Sequence, residues 1–232
     1  MFKNTTIVFD LDGTLVDTAP DLTHALNYAL ARGGQPPVSP ETVRSLVGLG
    51  AQVMVEEGLR RAGVKADLKS MLGDFLTHYE ANIAAESRPF PGAVEALDRL
   101  KTEGARLAIC TNKRESLSRK LLQELGLERY FSAIAGRDTF AVSKPDPGHL
   151  TGAIRLAGGD PFRAVMIGDS DVDVKAAKAA SVPVVLVSFG YAGPAPAATA
   201  AEAVIDHFEE LHANLTSLLM ATTRRPAGTH SA

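Results

Sequence analysis

The stretch TTIVFDLDGTLVD, residues 5–17, decides how the rest of the chain is interpreted. It starts as a short apolar run and continues into acidic residues and a glycine. Comparable apolar runs recur at residues 106–110, 133–135, 164–167 and 182–187, with helical patterns between them. This alternation predicts a parallel sheet, and runs that are hydrophobic throughout predict helices on both faces of it. We therefore expect a Rossmann-like three-layer α/β/α core.

One long segment, from about residue 17 to residue 88, has only helical patterns and no strand candidate. It predicts an all-helical domain inserted into the core, joined by hinges at residues 16–20 and 88–92. The helices of this insertion are predicted at residues 20–32, 40–47, 51–62 and 66–85. The predicted domains are a discontinuous core at residues 1–16 and 89–221, a helical domain at 17–88 and a C-terminal tail at 222–232.

Composition and charge exclude several classes of protein. The chain carries 24 Lys and Arg residues against 27 Asp and Glu residues, which argues against a strongly basic nucleic-acid binder. Hydrophobic residues make up 45% of the chain, which argues against extensive disorder. The single cysteine, Cys110, cannot form an internal disulfide, and no apolar run approaches the roughly 20 residues of a membrane-spanning helix. We expect a cytoplasmic protein that binds neither nucleic acid nor membrane.

Four polar clusters are expected at the ends of predicted strands, at residues 10–14, 111–113, 143–147 and 168–173. Taken singly, each has a structural explanation: a surface turn, a helix cap, a solvated lysine, or acids that favour a helix dipole. Ligands of open α/β folds bind at the carboxyl ends of the strands. Together the clusters therefore predict one binding site at that edge of the sheet.

The first cluster has the residues for phosphoryl chemistry. Asp10 and Asp12 lie two residues apart, and Gly13 permits a tight turn that brings both carboxylates into one small volume. Such a pair needs a cation or a proton. A carboxylate held against a metal can attack phosphorus, and its neighbour can donate a proton to the leaving oxygen and later take one from water.

In this order the clusters resemble the four sequence motifs of the haloacid dehalogenase superfamily of aspartyl phosphatases. The resemblance covers essentially the whole chain, because the helical insertion falls where that superfamily places its first type of cap. Within the superfamily, DLDGTLVDTAPDL, the turn at residues 47–50, SKPDP and GDSDVDVKAA are most similar to phosphoglycolate phosphatases.

The resemblance implies roles for the acidic residues. Asp10 matches the nucleophile that forms an aspartyl-phosphate, and Asp12 matches the general acid and base, whose backbone carbonyl also binds the metal. Asp169 matches a metal ligand and Asp173 an acid that supports the metal. Asp171 occupies a variable position and has no implied role. The implied cofactor is Mg²⁺, which prefers oxygen ligands.

The resemblance also implies a set of catalytic and substrate-binding groups. The hydroxyl of Thr111 and the ammonium of Lys144 are expected to bind and neutralise the phosphoryl group. The residues expected to contact the substrate are Thr111, Asn112 and Lys144 from the core, and Gly48, Gly50 and Arg44 from the cap. Arg44 is the candidate partner of a substrate carboxylate.

The function expected is Mg²⁺-dependent hydrolysis of a small phosphorylated metabolite, with 2-phosphoglycolate as first choice. Another monoester, such as a nucleotide or a sugar phosphate, or phosphomutase chemistry, is the alternative. A non-catalytic binding protein on the same fold is a further alternative. Dehalogenases of the superfamily lack the second acid of the first motif, so Asp12 argues against that activity. The protein is expected to be a monomer or a homodimer.

Overall fold

A computed structural model describes residues 2–62, 67–191 and 200–223. Its centre is a parallel sheet of six strands in the spatial order β5-β4-β1-β6-β7-β8. These strands are β1 (Thr6–Phe9), β4 (Arg106–Cys110), β5 (Ala133–Ala135), β6 (Ala164–Gly168), β7 (Val184–Val187) and β8 (Ala203–Ile205). The predicted strands are confirmed to within two residues at their ends.

Helices cover both faces of this sheet. They are α5 (Ala93–Thr102), α6 (Glu115–Glu124), α7 (Pro147–Leu156), α8 (Asp171–Ala179) and α9 (Leu211–Thr223). In β1, Ile7 and Phe9 belong to one hydrophobic cluster and Val8 to another, and all three are fully buried. Successive side chains of a strand point to opposite faces, so both faces of β1 are covered. The three-layer α/β/α core is confirmed.

The inserted segment is helical, as expected. It contains α1 (Ala19–Arg32), α2 (Pro40–Arg44), α3 (Ala51–Ala62) and α4 (Leu68–Ala81). Two of these helices are shorter than predicted. The hydroxyl of Ser45 donates to the Thr42 carbonyl at the end of α2, and the Asn82 amide donates to the His78 carbonyl at the end of α4. Side-chain bonds of this kind compete with the helix for its last carbonyls.

The two connections between core and cap are paired with each other, which the sequence did not predict. Strands β2 (Val16–Asp17) and β3 (Arg88–Pro89) form a two-stranded antiparallel sheet. Asp21, in the first turn of α1, accepts hydrogen bonds from the backbone of Glu86 and from both the amide and the hydroxyl of Ser87. The expectation of helices alone from residue 17 to residue 88 was therefore wrong at both ends of the segment.

The described part of the chain ends in a helix. Helix α9 continues to Thr223, so the first two residues of the predicted tail are helical, and residues 224–232 lie outside the described part of the chain. In the described ranges, every helix is too short or too polar to cross a bilayer.

Candidate active site

The polar clusters after the strands meet at one edge of the sheet. Asp10 follows β1, Thr111 follows β4 and Asp169 follows β6, and these three strands are neighbours. The Asp10 amide donates to the Ile167 carbonyl of β6 at 2.9 Å, which fixes the start of the first cluster against that strand. The structure therefore brings together the clusters that the sequence separates by up to about 160 residues.

Three buried carboxylates form the centre of the site. One oxygen from each of Asp10, Asp169 and Asp173 lies within 4.8 Å of the other two. Asp173 is held by a capping box at the start of α8, in which its Oδ2 accepts from the amide and the hydroxyl of Ser170. This leaves Oδ1 of Asp173 facing the cluster.

Lys144 is the ammonium of this cluster. Its Nζ lies 2.6 Å from Asp173 Oδ1 and 2.9 Å from Asp10 Oδ1. Burial disfavours the ammonium, but Asp10 and Asp173 outweigh this and raise the pKa of Lys144 above its ordinary value.

The Lys144 amide donates to Nδ1 of His149, so His149 Nε2 carries the proton and donates to the Gly136 carbonyl. Burial and Lys144 lower the pKa of His149 to about 4, so the ring stays neutral.

Asp12 lies apart from the three clustered acids. Its carboxylate accepts from Lys113 Nζ at 2.9 and 3.1 Å and from the hydroxyl of Thr18 at 2.8 Å. The two acids of the first motif therefore have different partners. Asp10 pairs with Lys144 in the acidic cluster, and Asp12 pairs with Lys113. This is the separation that a nucleophile and an acid-base group need.

Asp169 is oriented by hydrogen bonds from two residues that were not among the predicted site residues. Thr14 Oγ1 donates to Asp169 Oδ1 at 3.2 Å, and the Tyr191 amide donates to Oδ2 at 2.8 Å. Gly13, at φ 84°, passes close by, and a Cβ there would stand 2.7 Å from both Asp169 Oδ2 and the Tyr191 ring. Glycine is required at this turn by conformation and by space.

A cavity of about 380 Å³ opens over the site between core and cap. Seven of the predicted residues line it, namely Asp10, Asp12, Gly48, Gly50, Thr111, Asn112 and Lys144. Asn112 Nδ2 donates to the carbonyls of Lys144 and Gly48, at 3.1 and 3.3 Å, so the predicted cap turn does reach the core.

Arg44 is placed differently from the expectation. It is not among the described residues that line the cavity, and its Nη2 lies 4.0 Å from Asp17 Oδ2 in the connection to the cap. The structure therefore does not bring Arg44 to the position from which it was expected to meet a substrate carboxylate.

The acidic cluster has the chemistry of a divalent-cation site. Three carboxylates against the one ammonium of Lys144 leave two negative charges when all are ionised. Burial, opposed by Lys144 and reinforced by Asp173 and Asp169, raises the pKa of Asp10 to about 7. Burial and Asp173 raise the pKa of Asp169 to about 6, although the Tyr191 amide and Lys144 act to lower it. Within the described residues, Asp10 Oδ1 has no donor in hydrogen-bonding geometry, although Lys144 is its ion-pair partner. An oxygen-only donor set with excess negative charge fits Mg²⁺.

A family model for haloacid dehalogenase-like hydrolases matches residues 7–187. The chain belongs to this family. A phosphoglycolate phosphatase of Mesorhizobium japonicum is 50% identical over 92% of this chain and 96% of its own. One of Agrobacterium fabrum is 47% identical over 88% of this chain and 89% of its own.

Solved structures agree with this assignment. A structure described as a predicted phosphoglycolate phosphatase from Haemophilus somnus superimposes with a TM-score of 0.85 at 29% identity, covering 92% of this chain and 98% of its own. CbbY from Rhodobacter sphaeroides, in complex with phosphate, gives a TM-score of 0.78 at 28% identity over 91% and 99%. Fold, family and relatives together identify a phosphoric monoester hydrolase, and the resemblance seen in the motifs is confirmed.

Four further residues belong to the site of this haloacid dehalogenase-like hydrolase and were missed as functional groups. They are Thr14 and Tyr191 on Asp169, His149 behind Lys144, and Lys113 on Asp12. Lys113 and Thr14 stand inside the recognised clusters, so their position was a signal. His149 and Tyr191 carry no signal in the local sequence, because their contacts exist only in the folded chain.

Proposed function

We propose that the chain is a Mg²⁺-dependent phosphatase that hydrolyses 2-phosphoglycolate to glycolate and phosphate through an aspartyl-phosphate on Asp10. The observation that carries the proposal is the buried Asp10–Lys144 pair beside Asp169 and Asp173, with Asp12 held separately at the same cavity. The phosphoglycolate phosphatases among the relatives support the choice of substrate.

The residues of the site divide the steps of this mechanism between them. Lys144 binds the phosphoryl oxygens and offsets their charge, while Thr111 and Asn112 donate hydrogen bonds to them. An Asp10 carboxylate oxygen attacks phosphorus, and the ester oxygen leaves with a proton from Asp12. Asp12 then takes a proton from a water molecule that attacks the phosphorus of the aspartyl-phosphate, which releases phosphate and restores Asp10. The turn at Gly48 and Gly50 helps to close the cavity against other water.

The residues that would hold the cation are Asp10, Asp169 and the backbone carbonyl of Asp12, with Asp173 in support. When bound, Mg²⁺ supplies the positive charge that offsets the excess of buried carboxylates and the charge of the phosphoryl group. The protein's own groups perform the proton transfers and the nucleophilic attack.

A panel of phosphate esters tests the proposal. Phosphate release is measured from 2-phosphoglycolate, a nucleoside monophosphate and glucose 6-phosphate, with Mg²⁺ in excess and with a chelator. We expect 2-phosphoglycolate to have the largest kcat/KM, by at least about tenfold, because substrate choice reflects binding in the transition state. We expect chelation to remove the activity. Faster hydrolysis of the sugar phosphate, or full activity with chelator, contradicts the proposal.

The raised pKa values predict how metal and pH act on stability. Folding raises the pKa of Asp10 and Asp169 from 3.8 to about 7 and about 6, so the stability that these groups contribute is fully present below pH 3.8. It is lost as the pH rises through about 6 to 7. Mg²⁺ competes with protons for these oxygens. It should therefore raise the Tm of chelator-treated protein much more at pH 8 than at pH 5.

Thermal unfolding at both pH values measures this effect. At a Mg²⁺ concentration a hundredfold above Kd, the stabilisation is about 2.7 kcal/mol, or a Tm increase of about 5–10 °C for a chain of this size. Asp169→Asn is the control and should remove most of the increase at pH 8. An equal increase at both pH values would contradict the assignment of these acids to the cation.

A further inference from the structure

Lys113 is a second buried ammonium, and the proposed phosphoryl chemistry does not use it. Its side chain is only 6% exposed and lines the cavity. Its Nζ contacts both Asp12 oxygens and lies 4.6 Å from the centre of the Tyr79 ring, which comes from α4 of the cap. The acidic cluster has its own ammonium in Lys144. Lys113 is therefore a cation on the Asp12 side of the cavity.

The geometry of the substrate brings a carboxylate to that side. In 2-phosphoglycolate, one carbon separates the ester oxygen from the carboxylate. Asp12, as the proposed acid, must stand next to the ester oxygen, so the carboxylate lies next to Asp12 as well. Lys113 is the residue whose ammonium already contacts Asp12, at 2.9 and 3.1 Å. An ammonium has three protons, so it can donate to a second carboxylate without releasing the first.

The charges of the cavity favour the same residue. Lys144 pairs with two carboxylates of the acidic cluster, whereas Lys113 has one carboxylate partner, Asp12, among the ion pairs of the described residues. The other cationic side chains among the described lining residues are Arg114 and Arg137, and both residues are exposed to solvent. A hydrogen bond to a charged group is stronger where water is excluded, and the Tyr79 ring covers the ammonium of Lys113.

We propose that Lys113 determines specificity by binding the carboxylate of the substrate, and that the substrate class is the phosphate esters of 2-hydroxy carboxylic acids. This inference rests on the proposed function. It moves carboxylate recognition from the cap residue Arg44 to the core loop after β4. It also explains why a carboxylate one carbon further from the ester oxygen should be a poorer fit.

The test compares pairs of substrates in variants of residue 113. Ethyl phosphate has the carbon skeleton of 2-phosphoglycolate without the carboxylate, and the phosphate ester of 3-hydroxypropanoic acid has the carboxylate one carbon further away. The quantity measured is the ratio of kcat/KM for 2-phosphoglycolate to that for ethyl phosphate. We expect Lys113→Met to lower this ratio roughly 10- to 100-fold, the loss typical of one charge-assisted hydrogen bond. Lys113→Arg, which keeps the charge, should restore most of it.

Controls separate this effect from a loss of folding or of Asp12 function. The ratio cancels any change that affects both esters equally. Lys113→Gln keeps a donor toward Asp12 and gives the same comparison if the Met variant does not fold. Arg137→Met removes an exposed cation from the same cavity, and its ratio should stay within about twofold of the unmodified enzyme. The unmodified enzyme should also prefer 2-phosphoglycolate to the longer ester.

The outcomes are distinct. A ratio that is unchanged in Lys113→Met and Lys113→Gln overturns the assignment to Lys113, as does a collapse of the ratio in Arg137→Met. Equal rates for 2-phosphoglycolate and the longer ester overturn the substrate class. If the unmodified enzyme releases no phosphate from 2-phosphoglycolate, the proposed function itself fails. If it does so with a ratio that does not depend on residue 113, only this inference fails.

Discussion

Replacing Asp10 by asparagine is expected to lower kcat for phosphate release by at least about 10⁴-fold, because an amide cannot serve as the attacking nucleophile. The control is Asp171→Asn, an acid of the cluster at residues 168–173 whose side chain is 54% exposed and pairs with Lys175. It should keep its activity within about twofold, as is usual for a surface position. Steady-state phosphate release measures both variants.

The fold should survive this substitution. Burial and the neighbouring Asp173 and Asp169 oppose the charge of Asp10, and its pKa of about 7 reflects that cost. Removing the charge therefore leaves the metal-free protein as stable as before, or more so, and a thermal unfolding curve in chelator checks this. Substantial turnover in a folded Asp10→Asn variant would refute the nucleophile assignment.

Replacing Asp12 by asparagine should have the second largest effect. With 2-phosphoglycolate, whose alkoxide leaves poorly without a proton, we expect kcat to fall about 10²- to 10⁴-fold. With p-nitrophenyl phosphate the leaving group needs no proton, so the first step should remain fast. The second step still needs a base, and the enzyme should accumulate as aspartyl-phosphate.

Rapid mixing distinguishes the two aspartates. The Asp12→Asn variant should release a burst of p-nitrophenolate close to one equivalent per enzyme and then turn over slowly. The Asp10→Asn variant should give no burst. If both variants behave alike with this ester, the division of roles between Asp10 and Asp12 is wrong.

The sheet was predictable from the sequence for a simple physical reason. A strand covered on both faces is hydrophobic along most of its length and not only at alternate positions, and β1, β4, β6 and β7 each show this pattern. The paired connections β2 and β3 were not predictable, because two residues are too few to show a period. Their pairing depends on partners more than 70 residues apart in the chain.

The centre of the site was predictable and its surroundings were not. Asp10, Thr111 and Asp169 follow strands directly, so the sheet alone carries them to one edge. Tyr191 reaches Asp169 through its backbone amide, which every residue type except proline possesses, so nothing in its identity indicated the contact. Arg44 was chosen for its charge, yet the acid that it meets is Asp17, at 4.0 Å. The charge of a side chain indicates what it can bind, but it does not indicate where in the fold the side chain lies.

The pairing of Val16 with Pro89 and of Asp17 with Arg88 makes the two attachment points of the helical segment neighbours. A segment of another length or shape can then be grafted between these points without displacing β1, which Asp10 follows. Lys113 would remain behind in such a hybrid, because it belongs to the core. The proposed preference for phosphate esters of hydroxy acids would stay with the core. The size of the ester that is accepted would change with the grafted helical segment.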